Sequence, residues 1–207
     1  MKLKLAILAA LLSLVTGCVS WTYNVAPYQV TAENAESLKS YNLKPMSVGT
    51  FRAREGLNVK RKSGSKKKPG SASIRCPLVP PLGLEAWHTA VSPSFEGYIE
   101  KALIEELKLA GLYDAASPLV ITGELVQIYA GNPYDRRWDI TLTLTNARNE
   151  NMTTTVSDFR EFHVGWFNAN RGWTNPVCKD FSRQFASAVK RLISDVIDDP
   201  KFREFAN

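Results

Sequence analysis

The sequence predicts an α+β domain in which two helices pack on one face of an antiparallel or mixed sheet. Three observations carry this expectation. In SPSFEGYIEKALIEELKLAGLYD (92–114) and again over residues 179–198, apolar residues recur at intervals of three and four, as one buried helix face requires. WDITLTLTN (138–146) alternates strictly, with Trp138, Ile140, Leu142 and Leu144 on one side and Asp139, Thr141, Thr143 and Thr145 on the other. Around it, PLVITGELVQIYA (118–130) and MTTTVSDFREFHV (152–164) read as strands joined through polar turns.

The amino-terminal stretch MKLKLAILAALLSLVTGC reads as export. Lys2 and Lys4 form a positive region, Leu5 to Thr16 an apolar one, and Val15-Thr16-Gly17-Cys18 a small-residue neck. An apolar run of about a dozen residues is too short to span a bilayer, which needs about 20. The neck resembles the lipobox of bacterial lipoproteins. That resemblance implies removal of residues 1–17 and lipid, palmitate among its acyl chains, on Cys18, which becomes the first mature residue. An ordinary signal peptide is the competing reading. Several acyl chains, at about 0.8 kcal/mol per buried methylene, hold a protein at a membrane without a spanning helix.

Composition is that of a globular chain, 44% hydrophobic and 22% charged, enough to bury a core. The formal charge of +6 suggests a nucleic-acid binder, yet its distribution excludes this. Residues 52–75 hold nine basic side chains and one acid, and the rest of the mature chain is acidic, 15 basic groups against 19. With Cys18 lipidated, Cys76 and Cys178 remain in an oxidising compartment and are expected to pair. Their loop of about 100 residues is worth roughly 4 to 5 kcal/mol in the chain-entropy description, as an upper figure. A metal site is disfavoured, because neither cysteine has a histidine or second cysteine close by.

In chain order, residues 18–43 show no sustained period and read as a tether with an irregular approach to a single domain over 44–207. A strand is expected around residues 46–53, with Val48 and Phe51 as core candidates. GLNVKRKSGSKKKPGSAS then forms a basic loop at about 55–72, whose composition cannot offset the entropy of ordering. Two readings stay open for it: a solvated insertion, or a foot for anionic lipid headgroups or lipopolysaccharide phosphates through Lys60, Arg61, Lys62, Lys66, Lys67 and Lys68. Strand is expected to resume at residues 73–77, and PLVPPLGLEAWHTAVSP (77–93) reads as a connector whose Trp87 and His88 are packed loop residues.

For the first long helix, Ser92 is the expected cap, Pro93 the first position and Gly111 the stop. Phe95, Ile99, Ala102, Leu103, Leu107 and Ala110 form its buried face, Ile104 lies opposite, and Glu105 and Glu106 are placed on the surface. The apolar run of 118–130 suggests a central strand covered on both faces. ARNEN (147–151) suits a hairpin turn, and the threonine-rich side of that hairpin is expected to face solvent, with a shallow binding surface as the alternative. GWFNANRGWTNPVCKDF (165–181) reads as a loop whose Trp166, Phe167 and Trp173 fold over the core edge or mark a contact patch for a partner or acyl chain. The last helix, 179–198, buries Phe181, Phe185, Ala188, Val189, Leu192, Ile193 and Val196 and ends before Pro200.

The order FEGYIEKALIEELKLAGLYD, LVITGELVQIYAG, WDITLTLTNARNENMTTTVSDF and FSRQFASAVKRLISDVIDD, roughly residues 90–205, together with the lipobox, resembles the YajG-like lipoproteins of Gram-negative bacteria. The resemblance implies a lipid-anchored, periplasm-facing lipoprotein and supplies no catalytic residues. Val19 in place of aspartate implies the outer membrane under the enterobacterial sorting rule. The basic loop and the Cys76/Cys178 pair depart from the family pattern. A similar layout in the auxiliary lipoproteins of lipid-trafficking ABC transporters gives the alternative, a dedicated transport subunit.

No Gly-x-Ser-x-Gly, His-Glu-x-x-His or phosphate-binding glycine loop is present, and the two histidines are His88 and His163. The adjacent Asp198 and Asp199 are expected to be solvated rather than catalytic. The sequence therefore predicts a non-enzymatic binding or structural protein of the cell envelope, without cofactor or metal. Its partners are the membrane, through Cys18, then anionic lipid or lipopolysaccharide, and an envelope protein complex, with no nucleic acid.

Overall fold

The computed structural model describes residues 21–55, 73–76, 87–90, 94–130, 136–160 and 176–207. In chain order the elements are β1 (Trp21–Asn24), α1 (Ala32–Ser40), β2 (Ser47–Ala53), β3 (Ser73–Cys76), β4 (Trp87–Ala90), α2 (Phe95–Ala110), β5 (Val120–Ala130), β6 (Arg136–Thr145), β7 (Asn151–Arg160), α3 (Pro176–Asp198) and the single turn α4 (Phe202–Phe205). A mixed four-stranded sheet runs β2-β5-β6-β7, and a small sheet runs β1-β4-β3. The α+β class is as expected.

In the main sheet β2 lies parallel to β5, while β6 pairs antiparallel with β5 and β7. The alternation read in β6 fixes which side is covered: Trp138, Ile140, Leu142 and Leu144 are all buried with Leu125, Ile128 and Val156 beneath α2 and α3. Trp138, Phe95 and Phe185 meet at the centre, with Phe185 4.9 Å from Trp138 and 5.2 Å from Phe95 between ring centroids. Those edge-on and tilted contacts suit the aromatic quadrupoles. The hairpin turn has Asn149 at φ 62°, a left-handed conformation that asparagine tolerates.

Helix side chains blunt both edges of the sheet. Glu100 Oε2 accepts the Phe51 N–H at 2.8 Å on β2, and Gln184 Nε2 donates to the Asp158 carbonyl at 2.9 Å on β7. At Gly123 of β5 the Phe51 ring lies so close that an added Cβ would sit 2.6 Å from it. Glycine is needed there for the close approach.

Several expectations are corrected. Residues 32–40, inside the expected tether, form α1, and Ala35, Leu38 and Leu43 are buried; two apolar positions one helical turn apart gave too short a period to register. Trp87–Ala90, inside the expected connector, is strand β4. Strand β5 is central in order but covered on one face, since Ile121 and Leu125 are buried while Thr122 and Gln127 are exposed. The cap of α2 is Ser94 rather than Ser92: its Oγ accepts the Gly97 N–H at 3.1 Å, and the helix starts at Phe95. The last helix begins three residues early, at Pro176, a residue suited to a first turn. The buried faces of α2 and, from Phe185 on, of α3 are as expected.

Candidate functional site

The best-defined polar constellation of the fold centres on Glu106. Helical spacing puts it on the face of α2 shared by Ile99, Ala102, Leu103 and Ala110, so it points inward and is fully buried. A carboxylate in such a place needs donors, since an unpaired buried charge is costly. Glu106 Oε1 accepts the Tyr28 hydroxyl at 2.7 Å, the Thr31 N–H at 3.0 Å and Asn34 Nδ2 at 3.2 Å, and Oε2 takes a longer share of the Thr31 N–H at 3.3 Å. Asn34 Oδ1 in turn accepts the Ser194 hydroxyl of α3 at 2.9 Å.

These bonds hold one particular stretch of chain. Residues 25–31 leave β1 and lead into α1 as a strap laid against α2. Tyr98, about two helical turns nearer the start of α2, donates its hydroxyl to the Ala26 carbonyl at 2.8 Å. Thr31 heads α1 without a side-chain cap, and its own N–H goes to Glu106 instead. One carboxylate thus joins the strap, α1 and α2, with α3 linked through Asn34.

The electrostatics match. Burial first, then the hydrogen bond to Glu106, push the Tyr28 hydroxyl above its ordinary value of 10.0, so it stays a donor. Burial alone lifts Tyr98 to about 12. Neither tyrosine serves as a base at neutral pH, and the arrangement is a clamp rather than a proton relay.

The outer face of the sheet is the second polar surface. Thr141 and Thr155 hydroxyls lie 3.0 Å apart, those of Thr143 and Thr153 2.9 Å, and Thr145 donates to Asn151 Oδ1 at 2.7 Å. The hydroxyls satisfy one another across the strands, as cross-strand threonine pairs do. Charges here are locally paired, Arg54 with Glu124 at 2.9 Å and Arg137 with Asp139 at 2.7 Å.

Glu106 corrects the expectation of a surface residue, whereas Glu105 is exposed and paired with Lys108 at 2.9 Å. Asp198 is exposed, and Asp199 Oδ1 accepts the Lys201 N–H at 2.9 Å in the turn leading to α4. Cys18, the basic residues Lys60, Arg61, Lys62, Lys66, Lys67 and Lys68, the aromatics Trp166, Phe167 and Trp173, and His163 lie outside the described residues. Backbone alone places Cys76 at the end of β3, Cys178 in the first turn of α3 and His88 in β4. Among the described residues no cluster of three or more histidine, cysteine or acidic side chains is arranged to hold a metal, and no helix is long and apolar enough to cross a membrane. A cleft of about 20 Å³ beside Met46, Ile121, Asn146 and Phe205 has room for about one water.

Neither a family model nor a curated protein matches this chain. Among solved structures, the crystal structure of a Xanthomonas campestris protein of family DUF330 is similar at a TM-score of 0.47 and 10% identity, over 85% of this chain and 94% of that one. A second, of an uncharacterized protein, is similar at a TM-score of 0.43 and 7% identity, over 86% of this chain and 99% of the other.

Proposed function

We propose that this protein is a lipid-anchored lipoprotein of the outer membrane, its domain facing the periplasm, with a non-enzymatic binding or structural role in the envelope. The observation that carries the reading is how close in sequence the domain's first described strand lies to Cys18. Strand β1 opens at Trp21, three residues after Cys18, and the strap that follows is clamped by Tyr98 and Glu106. A domain that takes hold of its own chain so soon after a lipidated residue is held against the membrane rather than on a long leash. The basic segment at 55–72 adds attraction to anionic headgroups, each Lys or Arg near such a surface contributing about 1 kcal/mol.

Crosslinking of the lipidated protein in intact cells, with mass identification of what it captures, tests the role. Lipopolysaccharide or other outer-membrane components support the proposal. Recovery of a permease or substrate-binding component of a lipid transporter replaces it with the auxiliary-subunit alternative. Changing Lys60, Arg61, Lys62, Lys66, Lys67 and Lys68 to glutamine should abolish the salt-sensitive part of binding to phosphatidylglycerol vesicles; undiminished binding would remove the basic segment from the account.

A further inference from the structure

Two tryptophans mark one end of the small sheet. β1 and β4 run parallel with Trp21 opposite Trp87 and Asn24 opposite Ala90. β3 runs antiparallel to β4 with Cys76 opposite Trp87 and Ser73 opposite Ala90. Trp21, Trp87 and Cys76 therefore share one end, and Asn24, Ala90 and Ser73 the other, about 10 Å away along four-residue strands. The chain enters the domain at the tryptophan end, because β1 begins there.

The covalent reach from a lipidated Cys18 is short. Three residue steps at about 3.3 to 3.6 Å each span about 10 Å at most. A headgroup layer is about 5 to 8 Å deep on each side of the hydrocarbon core. The Trp21 end of the sheet is thus tied within or just above the headgroups. Tryptophan is the side chain that favours this zone, having a large apolar body and one N–H that prefers a wet partner. The strap clamped by Tyr98 and Glu106 joins the same strand to the main core, so seating β1 also orients the domain.

We infer that the Trp21–Trp87 end of the β1-β4-β3 sheet is a membrane-seating surface that rests in the phospholipid headgroup layer and holds the domain at one fixed height and orientation. The inference builds on the lipid-anchored reading and adds a second point of contact, residue by residue. Its ligand is the bilayer interface itself rather than a protein.

The test uses full-length lipidated protein reconstituted into phosphatidylethanolamine and phosphatidylglycerol vesicles, with Trp166→Phe and Trp173→Phe so that Trp21, Trp87 and the core Trp138 remain. A nitroxide-labelled headgroup lipid should quench about half or more of the emission, and a mid-chain nitroxide much less. Adding Trp21→Phe and Trp87→Phe should abolish the quenchable part and leave Trp138 emitting. Vesicle-bound protein with equal quenching before and after those two changes would overturn the inference while leaving the anchor intact. Parent protein quenched no more by the headgroup label than by the mid-chain label would overturn it without reliance on either variant. Protein that carries no lipid and fails to sediment with vesicles would overturn the anchored reading and this inference together.

Discussion

Replacing Glu106 by alanine removes the acceptor shared by the strap, α1 and α2. The Tyr28 hydroxyl, only half-buried, can turn to water, but the Thr31 N–H and Asn34 Nδ2 are buried and would lose their partner. Each buried donor left unpaired costs about 1 to 3 kcal/mol. The carboxylate's own desolvation is recovered and offsets part of this. The space it vacates adds a cavity cost. The net loss is expected at about 3 kcal/mol, in the range of about 3 to 5 kcal/mol found when one partner of a buried charged contact is removed. In urea, with a slope of about 2 kcal/mol per molar, the midpoint should fall by about 1.5 M. Trp138 emission reports it, since that ring sits at the centre of the core beside Phe185. Glu106→Gln keeps one oxygen but turns an NH2 toward other donors, and should cost about half as much. A Glu106→Ala loss below about 0.5 kcal/mol, the scale of an ordinary surface change, would refute the clamp.

Three further outcomes follow from particular residues. Gly123→Ala puts a methyl against the Phe51 ring and should cost about 1 to 3 kcal/mol by the same unfolding assay, with Phe51→Leu relieving part of it. Tyr28 and Tyr98 both have folded values raised above the ordinary 10.0, so the folded state favours their protonated forms; that stability is fully present below pH 10 and is lost as pH rises, through about 12 for Tyr98. Unfolding midpoints should therefore hold to about pH 9.5 and fall beyond it, and fall less in a Tyr28→Phe, Tyr98→Phe variant. Thiol titration of the denatured mature protein should find Cys76 and Cys178 unreactive; two reactive thiols would refute the disulfide.

Much of the architecture was legible because it rests on repeated pattern. The strict alternation of β6 and the threes and fours of α2 and α3 name their buried faces almost residue by residue. The short elements were not legible: α1 buries few apolar positions, and β4 is four residues long in a proline-rich stretch. The clamp was missed for a different reason. A charged side chain reads as surface, yet Glu106 lies four residues from both Ala102 and Ala110, on the face assigned to the core. A charged residue in the middle of an apolar stripe is the signal to read, because burial obliges it to find partners. Those partners, Tyr28, Thr31 and Asn34, lie more than 70 residues away in sequence, and spacing alone does not bring them together.

Intact-mass analysis of the protein extracted from outer membranes reads the proposed anchor at Cys18 without intermediaries. A lipid anchor at Cys18 predicts a chain that begins at Cys18 and is heavier than its polypeptide by a diacylglyceryl group and an acyl chain, with Cys18→Ser protein left unprocessed and unlipidated. A mature chain that begins elsewhere, or that carries an unmodified Cys18, would contradict it.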